Sequence, residues 1–199
     1  MMICKELLFI ACGTFSIIHL VQSQNQRDYL PMNLLVTNIT YISDAGLIYG
    51  GKTSTIQKAS ETDFISKPYR VLRYFPDGLR NCYSLSVMQD TNYLIRTVFV
   101  YGIYDGLNIF PRFDLYLGPN IWKSLDLRKT GFGDVEDIIH ITGSNVLDIC
   151  LVKAGTSTPL ISAIEVRPLR YDTYAAQTGS LKVLTRLYFT NSNNTIMTR

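Results

Sequence analysis

Few residues in this 199-residue chain are of a type that does chemistry. His140 stands in "DIIHIT" with no H-x-x-E or C-x-x-C spacing around it to complete a metal site, so its expected role is structural or at the surface. Carboxylates gather in "GDVEDIIH" as Asp134, Glu136 and Asp137. Glycoside hydrolysis needs two carboxyl groups facing each other across a sugar, about 5 to 9.5 Å apart. Neighbours within one short stretch seldom face each other in that way, and this cluster is expected to be a solvated turn. No serine sits in a G-x-S-x-G elbow, and "GGKTST" lacks the spacing of a phosphate-binding loop. No loop carries the run of oxygen ligands that calcium takes. The expectation is a chain with no catalytic residue, no metal site and no cofactor.

Recognition is a better match to the residues present. "VYGIYDGLNIFPRFDLYLGPNIW", residues 100 to 122, packs Tyr101, Tyr104, Phe110, Phe113, Tyr116 and Trp122 among Asp105, Asn108 and Asp114. Gly102, Asp105-Gly106 and Pro111 imply a loop between two strands, which sets some of these rings at one end of the domain. A pyranose offers an apolar C–H face and a rim of hydroxyls, so a ring beside carboxylate and amide acceptors suits a sugar. On this reading Tyr101 and Tyr104 stack on the sugar while Asp105 and Asn108 accept its hydroxyl protons. The same surface suits a protein partner, because tyrosine supplies large contact area at low entropic cost. Phe113 and Trp122 are expected to fill the core.

The elements that must position this loop are strands. "YLIRTVFVYG" alternates Leu94, Arg96, Val98 and Val100 against Tyr93, Ile95, Thr97, Phe99 and Tyr101, the period of two that marks a strand. "FDLYLG", "KSLDLRK", "DIIHIT", "VLDICLV" and "LISAIEVRPL" follow, each short, rich in β-branched or aromatic residues and bounded by turn formers. With no amphipathic helix among them, the pattern predicts an all-β sandwich, most simply a jelly roll. Residues 33 to 59 carry no such alternation, and "SDAG" and "YGGK" there are expected to be turns.

The amino terminus bears on the cysteines. Lys5 precedes the apolar run "LLFIACGTFSIIHLV", about fifteen residues where a spanning helix needs about 20, which predicts a secretory signal peptide over residues 1–23 with cleavage after Ser23. An uncleaved leader would instead leave the chain membrane-associated. Cleavage removes Cys4 and Cys12. Cys82 and Cys150 then remain, either as a disulfide closing a loop of about 69 residues or as two buried thiols. Asn38 and Asn193 stand in N-x-T sequons, candidates for glycosylation. Residues 24–188 make one domain, and 189–199 a polar tail. A formal net charge of +3 is too small to argue for nucleic acid.

Taken together, "ITYISDAGLI", "LRYFPDGLRNCYSL", "YLIRTVFVYGIYDGLNIFPRFDLYLGPNIW", "EDIIHITGSNVLDICLVKAGTSTPLISAIEVRPL" and "YDTYAAQTGSL" resemble, in order, the malectin-like ectodomain of plant leucine-rich-repeat receptor kinases. The resemblance implies a jelly-roll sandwich related to animal malectin, which binds a glucose disaccharide, and a place outside the cell or at its surface. It also implies that a second lobe, repeats, a membrane helix and a kinase would follow "GSL". Where family members carry an "IDCG"-like first strand, this chain has "RDYLPMNLL". For Tyr101, Tyr104 and Asp105 only the family's "YG-x-YDG" motif carries over. The expected function is a non-enzymatic carbohydrate-binding module. The alternatives are a lobe that binds a peptide, a co-receptor or a full-length receptor kinase, or a truncated receptor fragment.

Overall fold

The computed structural model describes residues 19–22, 40–57, 65–131, 133–170, 173–174 and 179–184. Asn38, Asn193, the 189–199 tail and the first eighteen residues of the expected leader lie outside them. Within them the chain is a sandwich of strands, as the alternation predicts. In chain order these are β1 (His19–Gln22), β2 (Ile42–Ser43), β3 (Lys52–Thr55), β4 (Val71–Tyr74), β5 (Arg80–Ser86), β6 (Asn92–Val100) and β7 (Arg112–Leu117). There follow β8 (Asn120–Asp126), a single helical turn α1 (Leu127–Thr130), β9 (Gly133–Ile141), β10 (Val146–Lys153), β11 (Leu160–Ile161), β12 (Ala163–Pro168) and β13 (Ser180–Lys182).

One sheet has the order β13-β9-β6-β12-β1-β2 and the facing sheet β5-β10-β7-β8, while β11-β4-β3 forms a small third sheet. All strand pairs are antiparallel except β1 with β2. Alternation decides which residues meet between the layers. Ile95, Phe99 and Ile164 from the six-stranded sheet are fully buried, as are Tyr83, Leu115, Ile149 and Leu151 from the four-stranded one. Phe99 meets Phe113 edge to face at 5.6 Å between ring centroids, a contact that joins the two layers. Phe113 is thus core, as expected, and Trp122 packs partly buried against it.

Three local differences from the sequence reading have physical causes. "KSLDLRK" is strand only as far as Asp126, whose carboxylate accepts the Arg128 N–H at 3.2 Å and so caps α1. Residues 52–55 form β3 although "KTST" has no apolar face, because it is the edge strand of its sheet and mostly exposed. Last, β1 consists of His19–Gln22, residues that the sequence assigns to the leader.

Candidate functional site

The aromatic loop links β6 to β7 and is held by its own hydrogen bonds. Two successive turns start it: the Tyr104 N–H donates to the Tyr101 carbonyl at 3.1 Å and the Gly106 N–H to the Ile103 carbonyl at 3.0 Å. Gly102 has φ +48°, and a Cβ there would lie 2.2 Å from the Ile56 side chain. Only glycine lets the loop pass that close, and the Gln57 N–H locks it by donating to the Gly102 carbonyl at 2.9 Å.

Asp105 organises the rest. Its Oδ1 accepts the Tyr101 hydroxyl at 2.5 Å and the Leu107 N–H at 3.0 Å, while the Ile109 N–H donates to the Tyr101 oxygen at 3.0 Å. The Tyr101 ring is 1% exposed, covered by Tyr104 at 5.6 Å and Phe110 at 5.1 Å. Burial, reinforced by the bond to Asp105, pushes its phenol up to about 12. This differs from the expectation that Tyr101 stacks on a ligand: the residue is almost wholly buried against its neighbours, and its hydroxyl is bonded to Asp105 and the Ile109 N–H. Tyr104 is half-buried, lies against Tyr74 at 4.8 Å, and has its phenol raised by burial and the nearby Asp105 charge.

A cavity of about 260 Å³ opens beside these residues, lined by Tyr101, Tyr104, Asp105, Leu107, Ile109 and Pro111 on one side. Thr156, Ser157 and Thr158, from the loop between β10 and β11, form the other side. Ser157 Oγ accepts the Arg112 N–H at 3.2 Å, which leaves its own proton to donate. Asp105 Oδ2 has no bond among the described residues, and Asp105 is one of the residues that line the cavity. The structure therefore gathers Tyr101, Tyr104 and Asp105. Asn108 stays outside: it is exposed, does not line the cavity, and its φ of +53° fits the left-handed turn position that asparagine tolerates. The sequence gives no warning of Thr156–Thr158. Hydroxyls between Gly155 and Pro159 look like any turn, and they lie about fifty residues from the loop they face.

The other candidates resolve into structure. Asp134, Glu136 and Asp137 lie on β9, not on a solvated turn, because the strand begins at Gly133. Glu136 accepts Lys123 Nζ at 2.7 Å, and Asp137 takes both Nε and Nη2 of Arg96 at 2.7 Å, so the two carboxylates are bound on opposite faces. His140 Nδ1 lies 2.7 Å from Ser180 Oγ, a link between β9 and β13, and burial lowers its pKa. Cys82 and Cys150, directly opposed on β5 and β10, are joined in a disulfide. Among the described residues no three His, Cys, Asp or Glu side chains gather as a metal site, and no helix is long and apolar enough to cross a membrane.

Comparison with known proteins bears on the family and the fold. The family model described as "Malectin-like domain" matches residues 28–199. A probable LRR receptor-like serine/threonine-protein kinase of Arabidopsis thaliana, At1g07550, is 63% identical over 97% of this chain, which spans 24% of that protein. A second Arabidopsis receptor-like kinase, At2g14440, is 60% identical over 96% of the chain and 23% of its own length. The chain thus spans about a quarter of the length of these relatives. Among solved structures, that of the plant receptor-like kinase FER superposes with a TM-score of 0.64 at 20% identity, covering 80% of this chain and 43% of that one. A structure of the plant peptide RALF23 in complex with FER and LLG2 gives 0.60 at 19% identity, over 80% and 41% of the respective chains.

Proposed function

The chain belongs to the malectin-like domain family, and from that membership we propose that it acts as a non-catalytic recognition module, secreted or held at the cell surface, that takes one sugar unit of a cell-wall glycan or oligosaccharide into the cavity beside Tyr104. The observation that carries the reading is the composition of that cavity. A half-buried tyrosine, an aspartate and three hydroxyl-bearing residues line a space of about 260 Å³. Tyr104 supports the C–H face of the sugar, Asp105 Oδ2 accepts a hydroxyl proton, and Thr156, Ser157 and Thr158 meet the opposite rim. Tyr101 and Tyr74 hold these groups in place. The lining contains one carboxylate, which suits binding and leaves a two-carboxylate hydrolysis without its second group. So small a contact fits weak affinity, about −4 kcal/mol or near-millimolar Kd.

The test is a glycan array probed with the purified chain, its best hit then titrated by calorimetry against Asp105→Ala. Affinity at least tenfold weaker in the variant, with the β fold retained by circular dichroism, supports the reading. Equal affinity removes Asp105 from it.

A second reading is favoured by Leu107 and Ile109, 65% and 69% exposed on the rim of the same cavity. Exposed aliphatic side chains beside a tyrosine suit a peptide or co-receptor, and the FER structure with the peptide RALF23 and LLG2 provides an analogy at the level of fold. On this reading the chain is an interaction lobe or a receptor fragment that pairs with a receptor kinase. Selective capture on a peptide array, with no glycan bound, would favour it.

A further inference from the structure

Beyond any ligand, the pairing of β1 bears on how the chain is processed. β12 is hydrogen-bonded to β6 on one side through six residue pairs, from Ala163↔Val98 to Pro168↔Tyr93. On its other side it pairs with β1, His19↔Val166 through Gln22↔Ala163. β1 pairs in turn with β2, Val21↔Ile42 and Gln22↔Ser43. Among the described residues β2 therefore joins the six-stranded sheet only across β1.

A side-chain contact bridges the same gap. Tyr41, next to β2, reaches over it and donates its hydroxyl to Glu165 of β12 at 2.7 Å. Tyr69 donates to the same Glu165 oxygen at 2.8 Å, and Arg167 pairs with the other oxygen. Glu165 is fully buried, and so are its neighbours Ile164 and Val166. In the strand order β12-β1-β2 the bond ties the residue before β2 to β12 across the position of β1, a space one strand fills. An empty slot there would leave the outer backbone groups of β12 unpaired within the sheet, and buried backbone groups are almost always paired.

We propose that His19–Gln22 fills this slot in the folded protein, so that any cut removing the leader falls upstream of His19 and not after Ser23. The two outcomes are exclusive, because a cut after Ser23 takes all four residues of β1 away with the leader.

The experiment is to express the full chain with its own leader and a carboxyl-terminal tag in plant cells, then determine the amino terminus of the folded product by terminal sequencing and intact mass. A terminus before His19 is expected. A terminus at Gln24 on a cooperatively folded product overturns the proposal. A second measurement holds if secretion fails. Residues 17–199 and 24–199 are produced separately behind the same foreign leader, and a peptide of residues 17–23 is added to the shorter form. The longer form is expected to melt at higher temperature, and the peptide to raise the melting point of the shorter one. Equal melting points and no response to the peptide would show that the slot is closed by another part of the chain.

Discussion

Asp105 is the residue on which the candidate site turns, and part of its role is legible in the chain. Tyr104-Asp105-Gly106 announces a turn with a ring beside a carboxylate, and the structure places both at the cavity. What spacing does not encode is which tyrosine faces outward. Tyr101 follows directly on β6, two residues after the core residue Phe99, so it is buried and its hydroxyl is spent on Asp105 and Ile109. Tyr101→Phe should therefore lower stability by about 0.5–1.5 kcal/mol, the usual net worth of a hydrogen bond, because the Asp105 and Ile109 partners left behind are exposed to water, a loss readable by urea denaturation. Glu165 provides a pH test. Burial pushes its pKa up, but the Tyr41 hydroxyl, the Arg167 charge and the Tyr69 hydroxyl together outweigh burial and hold it below the ordinary value. A carboxyl group lowered in the folded state contributes stability above its unfolded pKa of about 4.3, and that stability is lost as pH falls through the lower folded value. Glu165→Gln should thus be destabilised at pH 7, with its gap from the wild type closing below about pH 4. A Tm difference that stays constant from pH 7 to pH 3 would contradict this.

At the scale of elements, the sandwich was readable wherever a strand has one buried face. β6, β7 and β10 all stand where the sequence puts them. β3 was not readable, because an exposed edge strand needs no apolar residues. The start of β9 was hidden by its acidic residues, whose partners Lys123 and Arg96 come from other strands. Likewise the far side of the cavity comes from the β10–β11 loop, and nothing local to either loop states that the two meet. Two predictions belong here. Gly102→Ala must move either Ile56 or the aromatic loop, since its Cβ would fall 2.2 Å from Ile56 Cγ2 at a positive φ. It should cost about 2 kcal/mol or more and weaken ligand binding even where the protein still folds. Breaking the disulfide by Cys82→Ser with Cys150→Ser should remove roughly 2–4 kcal/mol, or several degrees of Tm for a domain of this size. Mass spectrometry of the alkylated, unreduced protein should find neither of these two cysteines free.

Over the whole molecule, the sequence conveys the family more readily than the ligand. The segments that resemble malectin-like ectodomains are largely the strands and turns that build the fold, and relatives at 63% and 60% identity share them across nearly the full chain. A binding surface depends instead on a few outward side chains from loops far apart in sequence, so family membership names the frame and leaves the occupant of the cavity to experiment. The distinction has a practical form here. Tyr104 lines the cavity, whereas Asn108, three residues from Asp105 on the same loop, does not.

The measurement that tests this most directly is glycan-array binding of the purified wild-type chain beside Tyr104→Ala and Asn108→Ala, each first checked for an unchanged melting temperature. Selective glycan binding that is lost in Tyr104→Ala and kept in Asn108→Ala is the predicted result. Binding that survives Tyr104→Ala, or a folded wild-type chain that binds no glycan at all, would contradict it.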